Sequence, residues 1–268
     1  MSLLHSLARL LLGCTPLGRW PVRVRGGVAA GARWTLYPWT SYWRGTHEPA
    51  MQAEFCALGG GDIRGWNCWD LGAHFGLYSV GLARRVGPTG EVAAFEPNAV
   101  SFTRLELHRR MNGLAWLKCY QAAVSAQSGT AELIASEPAA TTTTTHLAYE
   151  GEDQFAGLRT VTTRTIRLDE LVDVGELRKP QFVKIDVEGH AHRALEGMTH
   201  TLRTARPLLI VAFHSPQEID GVLAILDPLG YRHREIGRSA VEAPVRVGSD
   251  YFFSPPGPGT FSSVPPRQ

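Results

Sequence analysis

Short apolar runs recur along the middle of the chain, separated by longer stretches with helical character. Five of these runs predict strands, at residues 68–71, 91–95, 116–124, 182–187 and 207–213. The intervening stretches predict helices, which include residues 78–86, 99–111, 195–202 and 217–229. Strands that alternate with helices in this way indicate βαβ units and a parallel sheet. The runs are apolar throughout, as expected where helices cover both faces of a sheet.

Two later segments depart from this alternation. Residues 130–171 contain a threonine run at 141–145 and a polar stretch at 150–157. We interpret them as a hairpin, a solvated loop and then a strand through residues 165–167. Residues 254–268 hold five prolines and predict an unstructured tail.

The first 47 residues have a composition of their own: six arginines, four of the seven tryptophans and no acidic residue. Cations beside amphipathic rings suit an interfacial or substrate-facing arm. The same residues also suit a helix and a few strands packed on the edge of the main sheet, which we favour. We therefore divide the chain into an N-terminal extension (1–53), a central α/β domain (54–253) and a tail (254–268).

Composition and charge narrow the class of protein. The chain is 44% hydrophobic and 19% charged, as in folded globular proteins. Its net charge is only +2 and three of its 27 basic residues are lysine, so we expect no nucleic-acid partner.

The four cysteines form no C-x-x-C pair, which favours a reducing compartment. No apolar run is long enough to cross a membrane, and residues 2–12 are not expected to be a cleaved signal. We expect a cytoplasmic protein.

The first chemical motif, D-L-G-A-H-F-G-L-Y-S, covers residues 70–79 at the end of the first predicted strand. Gly72 and Gly76 let a ligand approach the backbone in the crevice where doubly wound sheets bind their ligands. Glu96 follows the second strand, about one βαβ unit further on, where a carboxylate can accept the ribose hydroxyls of an adenosine cofactor. Taken singly, Asp70 also suits a helix cap and Glu96 a solvated strand end.

The acid at the glycine turn discriminates between two cofactors. The pyrophosphate of a nicotinamide dinucleotide would lie over the turn, where Asp70 would repel it. S-adenosylmethionine (SAM) instead brings an α-ammonium and a sulfonium, which a nearby carboxylate attracts. Asp70 together with Glu96 therefore favours SAM over NAD.

A second group of chemical residues follows the fourth and fifth strands. The motif V-K-I-D-V-E-G-H covers residues 183–190 and supplies Asp186, Glu188 and His190. His214 follows the fifth strand directly. Strand ends on this edge are where reaction centres form, although a capping acid or a hydrogen-bonded structural histidine would also fit.

These motifs, together with A-F-E-P-N at 94–98 and L-D-E-L at 168–171, resemble the FkbM-type methyltransferase family. The resemblance implies a SAM-dependent class I α/β fold, a Rossmann-like doubly wound sheet of seven strands whose last strand, within residues 245–253, is antiparallel. It implies an O-methyltransferase that acts on a hydroxyl of a sugar, glycan, polyketide or other secondary metabolite. The residues that it assigns to cofactor binding are Asp70, Gly72, Ala73, Gly76, Ser79, Glu96 and Asn98.

Two departures from the family pattern bear on catalysis. Ala191 and Ala212 stand where the family usually has carboxylates. We therefore expect no metal site and metal-independent turnover. Asp186 is expected near the transferring methyl, and the base that takes the acceptor proton is left open between His190, His214 and Asp186. A SAM-binding protein with weak or no catalysis is the alternative, and an NAD-dependent oxidoreductase a more distant one.

Overall fold

The computed structural model describes residues 20–36, 40, 42–134, 146–147, 160–238 and 244–257. The threonine run at 141–145, the polar stretch at 150–157, residues 1–19 and most of the predicted tail lie outside the described residues. In the part of the chain that is described, no helix is long and apolar enough to cross a membrane.

Thirteen strands occur among the described residues. They are β1 (Pro21–Arg23), β2 (Arg33–Thr35), β3 (Asn67–Leu71), β4 (Glu91–Phe95), β5 (Leu117–Tyr120), β6 (Ala123–Val124), β7 (Gly129–Ile134), β8 (His146–Leu147), β9 (Thr160–Ile166), β10 (Phe182–Ile185), β11 (Leu208–Ala212), β12 (Arg232–Glu235) and β13 (Asp250–Ser254). The α-helices are α1 (Pro49–Ala57), α2 (Leu77–Val86), α3 (Ala99–Met111), α4 (Leu168–Asp173), α5 (Ala191–Glu196), α6 (Thr199–Ala205) and α7 (Pro216–Leu226).

A seven-stranded sheet forms the centre of the fold. Its strand order is β12-β13-β11-β10-β3-β4-β5. The five neighbouring strands β11, β10, β3, β4 and β5 run parallel to one another. The last strand, β13, is antiparallel to both of its neighbours. The predicted class I methyltransferase fold is therefore confirmed. The strand order reverses between β3 and β10, and a doubly wound sheet binds its ligand at such a point.

Apolar side chains cover both faces of this sheet. Along β4, Val92 and Ala94 join one apolar cluster, whereas Ala93 and Phe95 join another, because successive side chains of a strand point to opposite faces. Helices α1, α2 and α3 contribute to the first cluster, and α5, α6 and α7 to the second. Two side chains cap their helices: Asn98 accepts hydrogen bonds at the start of α3, and Ser215 does so at the start of α7.

Two predicted elements are divided in the structure. The strand predicted at 116–124 is broken, because β5 ends at Tyr120 in the large sheet and β6 pairs with β9 in a smaller one. The helix predicted through 195–202 is divided into α5 and α6. Gly197 lies so close to the carbonyl of Ser125 that a side chain there would collide with it. In both places tertiary packing overrides the local pattern.

The two described strands of the N-terminal extension pack on α3 rather than on the edge of the sheet, so for this segment the prediction is wrong. Strands β1 and β2 form an antiparallel pair, and the Trp34 ring stacks on His108 of α3 with 3.6 Å between ring centroids. The Thr35 hydroxyl lies 2.8 Å from Nε2 of His108, whose Nδ1 lies 2.8 Å from the Phe75 carbonyl. The buried imidazole thus connects this segment to the glycine turn.

Candidate active site

The loops that follow β3, β4, β10 and β11 line one cleft at the carboxyl edge of the sheet. Ten residues were assigned from the sequence to cofactor binding or catalysis, and the cleft brings six of them together: Gly72, Glu96, Asn98, Asp186, His190 and His214. The other four are buried and do not belong to the cleft lining: Asp70, Ala73, Gly76 and Ser79.

The glycine turn requires glycine at both of its ends. Gly72 has φ 80°, and a Cβ there would collide with the carbonyl of Asp186 in the neighbouring loop. Gly76 has φ 86° and precedes α2, where a Cβ would collide with Leu105. Left-handed φ values of this kind favour glycine. Gly72 therefore lets the turn lie directly against the loop that follows β10, and Gly76 lets the turn pack against Leu105 of α3.

Glu96 presents a buried carboxylate at the end of β4. Its Oε2 accepts the His74 N–H at 2.7 Å and its Oε1 accepts the Asn98 N–H at 2.8 Å. Burial raises the pKa of Glu96 to about 7, against the effect of these two hydrogen bonds. Each carboxylate oxygen can accept a second hydrogen bond. Glu96 can therefore receive hydroxyl donors from a ligand in the cleft.

Asp70 contacts a buried lysine rather than the cleft. Its Oδ2 accepts the Ser79 hydroxyl at 2.5 Å, and its Oδ1 lies 3.4 Å from Nζ of Lys184. Lys184 stands beside Asp70 in the register of β3 with β10, and its Nζ also lies 3.3 Å from Asp186 Oδ2. Burial would lower the pKa of Lys184, but Asp186 and Asp70 together hold it above its ordinary value. This lysine, not singled out from the sequence, links the first motif to the second.

Asp186, Glu188 and His214 form a cluster in the cleft wall. Nε2 of His214 lies 3.1 Å from Asp186 Oδ1, and its Nδ1 lies 3.3 Å from Glu188 Oε2. Burial would lower the pKa of His214, but the two carboxylates raise it to about 9. Burial would raise the pKa of Asp186, but Lys184 and His214 hold it below its usual range. At neutral pH Asp186 is therefore ionised and His214 is protonated.

His190 differs from His214 in its surroundings. Its Nε2 lies 3.0 Å from the Ser125 hydroxyl, and burial with His192 and Arg193 nearby lowers its pKa to about 3. It lines the cleft at the start of α5.

A buried acid that was not singled out from the sequence holds the two loops together. Glu218 of α7 accepts the Ala191 N–H at 2.8 Å and the His214 N–H at 2.7 Å. Glu218 therefore fixes the backbone at His214 and at Ala191, the residue after His190. Its position in an amphipathic helix gave no signal of this role.

The N-terminal extension closes one side of the cleft with Tyr42, His47 and Glu48, and Met51 of α1 follows them. The Tyr42 hydroxyl lies 3.0 Å from Nδ1 of His74 in the glycine turn. Glu48 accepts the Tyr78 hydroxyl at 2.7 Å. The sequence indicated a segment rich in aromatic and basic residues, but not which of its side chains would reach the cleft.

Five carboxylates line the cleft: Glu48, Glu96, Asp186, Glu188 and Asp250. Among the described residues of this lining there is no arginine or lysine. Such a surface attracts a cationic ligand and repels a polyphosphate.

The family described as "Methyltransferase FkbM domain" matches residues 70–233. This match spans more than half of the chain and includes the glycine turn, Glu96, the Asp186 motif and His214. The chain therefore belongs to the FkbM methyltransferase family, as its motifs predicted.

One similar protein is the hexuronic acid methyltransferase AglP of Haloferax volcanii, which is 34% identical over 160 residues. The match covers 58% of this chain and 60% of that protein, less than two thirds of the relative's length.

Two similar solved structures are both methyltransferases by name. The methyltransferase FkbM of Methylobacillus flagellatus KT has a TM-score of 0.49 and 16% identity, with 74% of this chain and 47% of that chain covered. A SAM-dependent O-methyltransferase of Thermotoga maritima has a TM-score of 0.44 and 12% identity, with 76% of this chain and 64% of that chain covered. The strand order of the seven-stranded sheet is what defines the fold of this chain.

Proposed function

We propose that this protein is a SAM-dependent O-methyltransferase that methylates a hydroxyl group of a sugar or glycan. The observation that carries the proposal is the juxtaposition of the glycine turn and Glu96 at the point where the strand order reverses. Membership of the FkbM family supports the reaction, and the relative named as a hexuronic acid methyltransferase supports a sugar acceptor.

In this proposal the cofactor lies along the ends of β3 and β4. Glu96 accepts the ribose hydroxyls, beside Asn98. The glycine turn holds the methionine half through Gly72, which lines the cleft, while the buried Ala73 and Gly76 shape the turn. Asp70 and Ser79 support that turn from behind, since both are buried and hydrogen-bonded to each other. The acidic lining complements the sulfonium and the α-ammonium of SAM.

Methyl transfer then needs an acceptor oxygen aligned with the sulfonium methyl. The oxygen–carbon bond forms as the carbon–sulfur bond breaks, and the bonding pair stays on sulfur to give S-adenosylhomocysteine. Alignment in the cleft and removal of the acceptor proton are the two contributions asked of the protein. His214, held between Asp186 and Glu188, is the residue we place at the departing proton. Only its neutral form can accept that proton, and the two carboxylates that raise its pKa to about 9 make this form the minority at neutral pH. His190 is a poorer candidate, because its lowered pKa makes it a weak proton acceptor.

The acidic cleft disfavours the oxidoreductase alternative, because a dinucleotide would bring its pyrophosphate among five carboxylates. A SAM-binding protein without catalysis differs from our proposal only in turnover. The two are separated by incubating the purified chain with methyl-labelled SAM and a panel of neutral, amino and uronic sugars. Release of S-adenosylhomocysteine with label in the sugar supports an enzyme. SAM binding without release on any sugar supports a binding protein, and binding of NAD in place of SAM overturns the proposal.

The same assay distinguishes a methyl ether from a methyl ester. Label transferred to a hydroxyl withstands mild alkali, whereas label on a uronic carboxylate is released by it. We expect alkali-stable label, because a carboxylate acceptor would have to enter a cleft lined by carboxylates. Alkali-labile label would show carboxyl methylation and contradict the proposed hydroxyl acceptor.

Replacing Glu96 with alanine is expected to weaken SAM binding by about 1–3 kcal/mol, the range for hydrogen bonds to a charged group. Calorimetric titration with SAM measures the change. A matched control is Glu132→Ala, since Glu132 lies on β7 and is absent from the cleft lining. Equal SAM affinity in wild type and Glu96→Ala would refute the role of Glu96.

SAM affinity is also expected to depend on pH through Glu96. Its pKa of about 7 means that the carboxyl group is protonated below neutral pH, and ribose hydroxyls bind best to the ionised form. If only that form binds, the apparent Kd rises about tenfold between pH 8 and pH 6, as the competent fraction falls. Titrations of wild type and Glu96→Gln across this range test it, and the variant should give a flatter profile. Identical profiles would assign the dependence to another group.

A further inference from the structure

Asp186, Glu188 and His214 each turn one potential ligand atom toward the others, and these atoms all lie within 4.8 Å of one another. All three residues line the cleft beside the proposed acceptor position. Two carboxylate oxygens and an imidazole nitrogen form a ligand set that suits a divalent cation such as Mn²⁺. We propose that this cluster binds a divalent cation that contacts the acceptor hydroxyl.

The individual contacts show how such a set would assemble. Asp186 uses Oδ2 for Lys184, which leaves Oδ1 directed at Nε2 of His214, 3.1 Å away. A cation between these two atoms takes the place of the Nε2 proton, which is released to solvent when the ion binds. Glu188 contacts the other nitrogen of the ring, and the ligand atom that it offers already lies within 4.8 Å of those of Asp186 and His214. Three protein ligands leave coordination positions open toward the cleft.

The charge of the surrounding wall supports a cation. Glu48 and Asp250 also line this cleft, and burial together with the nearby charges of Glu48 and Asp186 raises the pKa of Asp250. Lys184, which also pairs with the buried Asp70, and His214 itself bring positive charge to the cluster, against the four carboxylates of Asp186, Glu188, Glu48 and Asp250. Negative charge is thus in excess where the cation would bind.

The proposed cation would take part in the methyl transfer proposed above, so its role depends on that function. A hydroxyl bound to a divalent ion loses its proton more readily, because the ion stabilises the alkoxide. The proton passes to solvent, the oxygen attacks the methyl carbon, and the carbon–sulfur pair remains on sulfur. This differs from the metal-independent turnover expected from Ala191 and Ala212. The sequence could not show that Glu188 and His214 converge on Asp186.

The test uses Mn²⁺ alone, with neither SAM nor acceptor present. Electron paramagnetic resonance of free Mn²⁺ during titration of the full chain should reveal a single site. Glu188→Gln and His214→Ala should each weaken it at least about tenfold. Glu196→Gln is the matched control, because Glu196 is a part-exposed acid paired with Arg193 on α5 and absent from the cleft lining. Mn²⁺ should also raise the Tm of wild type but not of the two variants, since only the folded site binds the ion.

No Mn²⁺ binding at millimolar concentration, or equal affinity in wild type and both variants, overturns the site. Glu188→Gln keeps the shape of the side chain, so it tests the site even if His214→Ala fails to fold. A chain that binds Mn²⁺ at this cluster but releases no S-adenosylhomocysteine refutes the proposed function and leaves the site standing. A chain that methylates at full rate after EDTA treatment refutes the role of the cation and leaves methyl transfer standing.

Discussion

Replacing Lys184 with methionine is expected to lower the free energy of unfolding by about 3–5 kcal/mol, because it leaves a buried carboxylate without its counter-ion. Asp70 is fully buried, and its Oδ1 makes no hydrogen bond but faces the Lys184 ammonium at 3.4 Å. Lys184 is itself buried and also donates to the Gly72 carbonyl at 3.3 Å. Urea unfolding at neutral pH measures the effect.

The cause of this loss is tested by removing the second charge. In the double variant Asp70→Asn/Lys184→Met no carboxylate remains unpaired at β3, and the asparagine can keep its contact with Ser79. We expect the double variant to recover much of the stability, since replacing a buried pair as a whole costs less than breaking it. Lys179→Met is the control, because Lys179 is exposed and should change stability by no more than about 0.5 kcal/mol. A single variant as stable as wild type would show that the pair is dispensable.

The sheet could be predicted from the sequence because each parallel strand is a separate apolar run followed by a helix. Residues 91–95 and 99–111 were bounded as the structure has them, as β4 and α3. The break after Tyr120 could not be predicted, since one apolar run there serves two sheets. Only the pairing of β6 with β9 shows where the run divides.

In the candidate site, the sequence could predict only the residues that directly follow the parallel strands. The loops after four parallel strands had to meet, so Glu96, Asp186 and His214 could be placed at one edge. The position of Lys184 already indicates a buried ion pair, because a lysine in a strand that is buried on both faces needs a partner. Its partner depends on the register of β10 with β3. Tyr42 reaches His74 across 32 residues of sequence, and no local pattern encodes such a contact.

His214→Ala is expected to lower turnover about 10²–10⁴-fold, the usual contribution of a group that assists proton removal, with little change in SAM affinity. The imidazole stands between Asp186 and Glu188, on the loop opposite Glu96, which holds the cofactor in our proposal. The expectation holds whether His214 takes the acceptor proton itself or acts through the cation, because both routes lose the imidazole nitrogen.

Parallel variants distinguish this role from a general disturbance of the cleft. His190→Ala should lose less than about tenfold in turnover, because burial keeps the pKa of His190 at about 3 and makes it a weak proton acceptor. His200→Ala, at an exposed position of α6, should behave as wild type. Initial rates of S-adenosylhomocysteine release give turnover, and calorimetry on the same preparations gives SAM affinity. If His190→Ala and His214→Ala both bind SAM and both keep wild-type turnover, neither histidine removes the proton. Asp186 then becomes the leading candidate, despite the low pKa that Lys184 and His214 impose on it.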